Sequence, residues 1–384
     1  MRILVLTPSF LPTIGGLQMG VHYLSREWRS MGHEVLVANM SAGRPTHPEA
    51  NYAVTRLRPL RGGYRFGWHR LPWRWWMQRQ LARTIREFAP DVISAHFAYP
   101  CAVWLGNVAP TVPWSVTCRG ADVQVLADQG LGHRLRLDID AALGRGLGQA
   151  TKVIALSENL EQRVKNLGVA AASVVRIPNG ADPRLRDCRM SSDARSIIGL
   201  PAGAAYLLSV GSHQVKKGFD AGVRAFAKIA AKWPDTYYVF VGKGTIALRQ
   251  VAREHGIPDR IRTCEGLMGP ELWAVFQQAR VYVLPSRIEG FPQVGCQAVM
   301  AGLPLVGTAC PGNVDLIAPE VNGLLCPVDD PDSMALALDR LLSDPELRDA
   351  LARGSEERRA QYDWRRIAAA HLDALGVSSE ERGA

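Results

Sequence analysis

The chain has 384 residues, enough for two domains, and 47% of them are apolar, the composition of an ordinary globular protein. No run reaches the length of a membrane span, and Met1–Thr7 reads as a first core strand without the apolar stretch of a signal peptide. Seven singly placed cysteines with no C-x-x-C pair argue against a disulfide framework and structural zinc, and fit a cytosolic chain with reduced thiols. The net charge of +9 is unevenly distributed: residues 1–190 hold 24 Lys/Arg against 13 Asp/Glu, whereas residues 191–384 hold 21 against 23. The basic front half therefore calls for an acidic partner.

Short apolar strands alternate with amphipathic helices almost throughout. Ile3–Thr7 leads through Gly15-Gly16 into a helix whose Leu17, Val21, Leu24, Trp28 and Met31 share one face; Gly32-His33 ends it, and Glu34–Ala38 makes the next strand. Paired glycines let backbone approach a ligand, although a tight turn explains them equally well. From Arg56 to Arg86 there are nine arginines, four tryptophans and no acidic residue. Met77, Leu81, Ile85 and Phe88 form the inward stripe of a helix there. Arg65, Trp68, Arg70, Trp73, Arg74 and Trp76 read as an interfacial surface for anionic lipid; a core helix with a soluble basic face is the plainer alternative. No nucleic-acid reader module accompanies this charge.

Strands follow at Asp91–Ala95, Trp114–Thr117 and Lys152–Leu156. After the second of these, Thr117–Asp122 presents Arg119 and Asp122 on one loop, with a local ion pair as their simplest role. Asp138-Ile139-Asp140 has metal-motif spacing, but in a helical stretch its carboxylates would diverge, so no metal is expected. The pattern breaks between Val174 and Arg195, and Ile177–Asp182 would serve as a turn or hinge. It restarts at Tyr206–Val210 and continues through Tyr237–Val241, Ile261–Cys264, Val281–Leu284, Pro304–Gly307 and Leu324–Cys326. Two such runs predict an α/β chain with two doubly wound, Rossmann-like domains.

Two loops of the second run carry chemistry. Gly211–Gly218 holds Ser212, Lys216 and Lys217 between glycines ahead of a helix, which reads as a diphosphate grip or equally as a solvated lysine pair, with Gly242 on the following loop. The strand Val281–Leu284 runs into Glu289-Gly290-Phe291-Pro292-Gln293 and an apolar helix carrying Gln297. Such a helix start at the carboxyl edge of a sheet suits phosphate. There is no P-loop motif, no G-x-S-x-G and no H-E-x-x-H.

In their order and spacing, the Gly15-Gly16 loop, the Gly32-His33 helix end, the Thr117–Asp122 loop, the Asn179-Gly180 turn, the Gly211–Gly218 loop and the Ser286–Gly302 segment resemble the retaining GT-B glycosyltransferases of family 4. The resemblance implies an N-terminal acceptor domain (1–185), a C-terminal nucleotide-sugar domain (186–362), a cleft between them, and a final segment (363–384) packing back toward the first. It implies that Lys217 binds the diphosphate with backbone N–H groups at Gly16 and around Phe291-Pro292. By the same resemblance Glu289 holds sugar hydroxyls, Gln297 stands where a second glutamate usually holds the ribose, and Arg119 and Asp122 lie beside the reaction. Three departures stand out: Gln297 for glutamate, Ser212 for an arginine and Arg119 for a histidine. The implied reaction moves a hexosyl group from a nucleotide-diphosphate sugar, the co-substrate, to a hydroxyl, without cofactor or metal. The Trp/Arg surface favours a lipid-linked saccharide or polysaccharide precursor and a peripheral place on the inner face of the membrane. A soluble transferase with a small acceptor, a sugar-nucleotide epimerase, and a binding protein that has lost turnover are the alternatives.

Overall fold

The computed structural model describes residues 1–41, 49–61, 67–125, 130, 132, 134–187 and 193–377. The chain forms two compact units, Met1–Asn179 with Trp364–Ala384, and Gly180–Asp363.

The first unit is built on β1 (Arg2–Thr7), β2 (Glu34–Asn39), β3 (Ala53–Arg56), β4 (Val92–His96), β5 (Trp114–Cys118), β6 (Lys152–Ala155) and β7 (Val174–Arg176). All pairings are parallel, in the order β3-β2-β1-β4-β5-β6-β7. Central strands covered on both faces need unbroken apolar runs, and Ile3, Leu4, Val5 and Leu6 are fully buried. The edge strands β3 and β7 were not predicted. Each is short and half-exposed, so neither carries such a run.

The helix Gly16–Ser30 buries Val21, Leu24 and Trp28, and Gly32 turns the chain out of it at φ +88°. The helix Trp364–Asp373 completes this core. Its Ala368 carbonyl accepts the Trp28 indole N–H at 2.9 Å, and Trp364 stacks on Tyr23 at 5.7 Å.

The second unit carries β8 (Ala205–Val210), β9 (Thr236–Val241), β10 (Ile261–Cys264), β11 (Val281–Leu284), β12 (Leu305–Thr308) and β13 (Gly323–Cys326). They too are all parallel, in the order β10-β9-β8-β11-β12-β13. Helices Phe219–Ile229 and Pro331–Ser343 cover one face around Phe226, Tyr238, Phe240 and Leu338. Burying side chains of this size contributes roughly 1.5–3 kcal/mol each. The strand order reverses between β8 and β11, so the loops leaving their carboxyl ends diverge and leave a crevice.

Candidate active site

The crevice of the second unit is closed by loops held backbone to backbone. Gly218 ends the loop after β8 at φ +59°, and a Cβ there would lie 1.9 Å from the Pro285 carbonyl oxygen. At Gly242, after β9, a Cβ would lie 2.2 Å from the Gly211 oxygen. Only glycine permits such approaches. Arg287 then ties the loops together. Its backbone N–H donates to the Lys216 carbonyl at 2.8 Å, and its guanidinium pairs with Asp220 at 3.0 Å and Asp329 at 2.7 Å. The bond to Asp220 raises the Arg287 pKa further, against a smaller opposing effect of burial.

Lys217 and Glu289 meet in this frame, Nζ to Oε1 at 2.7 Å, and the Ser286 hydroxyl donates to the same oxygen at 2.9 Å. The Glu289 backbone N–H donates to the Pro311 carbonyl at 3.0 Å, which fixes the loop. Glu289 is only 6% exposed. Burial alone would raise its pKa, but the charges of Lys217 and Lys216, with the hydrogen bonds from Lys217 and Ser286, outweigh it and hold the carboxyl below its usual value. Burial lowers the pKa of Lys216.

The helix Gln293–Met300 starts beside this pair, its first turn closed by Gly295 and Cys296 N–H groups on the Pro292 carbonyl. Gln293 and Gln297, one turn apart on one face, each present a buried side-chain amide oxygen with no protein partner among the described residues. Gly290, Phe291 and Pro292 are buried, with Phe291 6.0 Å from the Tyr362 ring. The Ser212 hydroxyl accepts from Gln214 at 2.9 Å.

In the first unit, Gly15 caps the helix Gly16–Ser30 in an extended conformation. The expected ion pair on the Thr117–Asp122 loop is absent. The Asp122 carboxylate instead accepts backbone N–H groups of Ala98, Arg119 and Gly120, and Ala98 is aimed at it by Phe97 at φ +78°. The Arg119 guanidinium turns away, donating from Nη1 to Asn179 Oδ1 at 2.6 Å and from Nη2 to His96 Nδ1 at 2.8 Å.

Two further expectations need correction. Trp68, placed on the membrane surface from sequence, is 2% exposed and packs edge-on against Trp104 at 5.7 Å. The Trp73 and Trp76 indoles donate to the Arg61 and Arg58 carbonyls at 2.8 and 2.7 Å, which ties them to the chain before the helix Trp73–Phe88. Arg70 is exposed, Arg74 is half-buried and Arg65 lies outside the described residues. Trp75, the fourth tryptophan of this stretch, is 50% exposed with Arg79 over its ring. Among the described residues no helix is long and apolar enough to cross a membrane. The Asp138/Asp140 pair does not lie within one helix: Asp138 sits at φ +45° between two helices, and Asp140 opens the second, paired with Arg134 at 2.6 Å.

Ser286, Arg287, His96, Asn179 and His371 were not singled out as site residues from sequence. Ser286 and Arg287, three and two residues before Glu289, lay within reach of a local spacing argument.

Residues 14–185 match the family described as Glycosyltransferase Family 4, and residues 191–358 match Glycosyl transferases group 1. A glycogen synthase of Mycobacterium tuberculosis is 28% identical over 395 residues, covering 96% of this chain and 93% of that protein. The structure of Anabaena HepE in complex with UDP-glucose superposes with a TM-score of 0.79 at 19% identity, over 98% of this chain and 99% of the other. WaaG, a glycosyltransferase involved in lipopolysaccharide biosynthesis, gives 0.76 at 18% identity, over 99% and 100%. These likenesses identify the two-sheet architecture as the GT-B fold. The chain belongs to the family 4, group 1 glycosyltransferases and is a nucleotide-sugar-dependent enzyme of this retaining hexosyltransferase family.

Proposed function

We propose that the crevice between β8 and β11 holds the nucleotide sugar. The 2.7 Å contact of Lys217 with Glu289 carries this reading, because it sets a cation and a buried, ionised carboxylate side by side at the switch point. Lys217 takes the diphosphate together with N–H groups around Phe291-Pro292. Glu289 accepts from sugar hydroxyls, and the unpartnered Gln297 oxygen accepts from the ribose. As the glycosidic bond breaks, negative charge grows on the departing diphosphate. Lys217 and the fixed N–H dipoles stabilise that charge, so they favour the transition state over bound substrate. The leaving phosphate, on the same face of the sugar, accepts the proton of the incoming hydroxyl, and configuration is retained.

The acceptor sits on the first unit. The basic excess of residues 1–190 supports a lipid-linked saccharide or polysaccharide precursor at an anionic membrane surface, where each nearby basic residue adds about 1 kcal/mol. WaaG, similar in fold, acts in lipopolysaccharide biosynthesis. A small soluble acceptor is the second reading, and the burial of Trp68 favours it. A thermal-shift series with UDP-, GDP-, ADP- and TDP-sugars tests the donor site: one donor should stabilise the wild type and not Lys217→Ala. Flotation with phosphatidylserine vesicles separates the acceptor readings. Binding supports the lipid-linked acceptor, and full turnover without any vesicle binding supports the soluble one.

A further inference from the structure

Arg119 is a partly buried cation that forms no salt bridge among the described residues. Its guanidinium lies against the helix Gly16–Ser30, where a Cβ at Gly20 would fall 2.8 Å from Nη1 and 3.3 Å from Nη2. Both terminal nitrogens donate to neutral acceptors, Asn179 Oδ1 and His96 Nδ1, and Nε is buried without a partner among the described residues. His96 accepts only as neutral imidazole, and burial, Arg119 and His371 all hold its pKa well below the usual value. His371 is held near 3, first by burial and then by Arg119. Burial lowers the Arg119 pKa to about 10, against a smaller opposing effect of the Asp122 charge; the Asp122 carboxylate itself is engaged by three backbone N–H groups and forms no salt bridge with the guanidinium. Buried charges are ordinarily paired, because leaving one unpaired in a low-dielectric surrounding is costly. Here Asn179, His96 and the helix Gly16–Ser30 surround a guanidinium that, among the described residues, has no salt-bridge partner.

We propose that Arg119 reads an oxyanion, a phosphate or carboxylate carried by the acceptor, with His96 and Asn179 as positioning residues. This rests on the reading that the acceptor sits on the first unit. The ligand supplies the counter-charge that the fold leaves out, so the preferred acceptor is an anionic sugar or sugar phosphate.

The test is thermal-shift titration of the full chain with orthophosphate, acetate and UDP, using wild type, Lys217→Ala, Arg119→Gln and Asn179→Asp. The last variant keeps the acceptor oxygen on Nη1 while adding the missing negative charge, so it spares the fold if Arg119→Gln does not. Orthophosphate or acetate should stabilise wild type and Lys217→Ala alike, with apparent affinity about tenfold or more weaker in Arg119→Gln and Asn179→Asp. UDP binding should be unchanged in Asn179→Asp. The proposal is overturned if neither anion stabilises the wild type, or if their effect vanishes in Lys217→Ala and persists in Asn179→Asp. It is also overturned if Asn179→Asp weakens UDP, which would assign the guanidinium to the donor diphosphate. Undiminished UDP binding by Lys217→Ala would instead remove the donor reading and leave the Arg119 site standing.

Discussion

Replacing Lys217 by alanine isolates the central electrostatic claim about the second unit. The two side chains are 15% and 7% exposed and 2.7 Å apart. At an effective dielectric constant of about 20 that separation corresponds to roughly 6 kcal/mol of attraction before desolvation is counted. Lys216 and the Ser286 hydroxyl remain in the variant, so the net loss should be about 3–5 kcal/mol, as for other buried pairs that lose one partner. The pH dependence carries the sign. Because the Glu289 pKa is depressed in the native protein, its contribution is present above the unfolded carboxyl pKa of about 4.3 and is lost as pH falls through the native value. In Lys217→Ala, burial dominates and the carboxyl protonates at higher pH, which relieves its penalty. The two stability curves should therefore lie furthest apart above pH 7 and converge on acidification. Urea unfolding at several pH values, with hydrogen exchange in β8 and β11 assigning the transition to this unit, measures the gap. Lys217→Met with Glu289→Gln should regain about 2 kcal/mol or more relative to the single variant, since no charge is then stranded. A gap under about 1 kcal/mol at every pH, or a double variant no more stable than the single one, would refute the reasoning.

The order of strands and helices was legible because parallel sheets covered on both faces require near-continuous apolar runs, as in Ile3–Leu6 and Val281–Leu284. Ala53–Arg56 and Val174–Arg176 escaped notice for the converse reason: an edge strand needs only backbone pairing on one side. Lys217 and Glu289 stand 72 residues apart, yet both follow strand ends, and alternating strands and helices bring such loops to one edge of a sheet. Which loops adjoin depends on strand order, and the reversal between β8 and β11 is set by tertiary packing that no local pattern reveals. Trp68 failed for a related reason. A tryptophan amid arginines reads as interfacial, whereas its burial depends on Trp104, 36 residues away. Arg119 and Asp122 looked like an ion pair because the sequence shows side-chain charges and not the backbone N–H groups that capture the carboxylate.

Gly218→Ala should lower the melting temperature markedly, by about 3 kcal/mol or more in stability, because the left-handed backbone and the Pro285 carbonyl both reject a methyl group. Preserved stability in calorimetry would show that the two loops can separate. Arg287→Ala should weaken UDP binding several-fold in titration calorimetry by freeing the Lys216–Lys217 loop, while Asp220 and Asp329 lose their shared partner. Gln297→Glu should separate the free and bound states. A carboxylate at a buried, unpartnered acceptor costs about 3 kcal/mol or more in the free protein, yet it accepts a ribose hydroxyl about twice as strongly as an amide does. The variant should melt lower alone and bind UDP more tightly, with no such gain for inorganic pyrophosphate, which has no ribose. Equal gains for UDP and pyrophosphate would place Gln297 beside the phosphates.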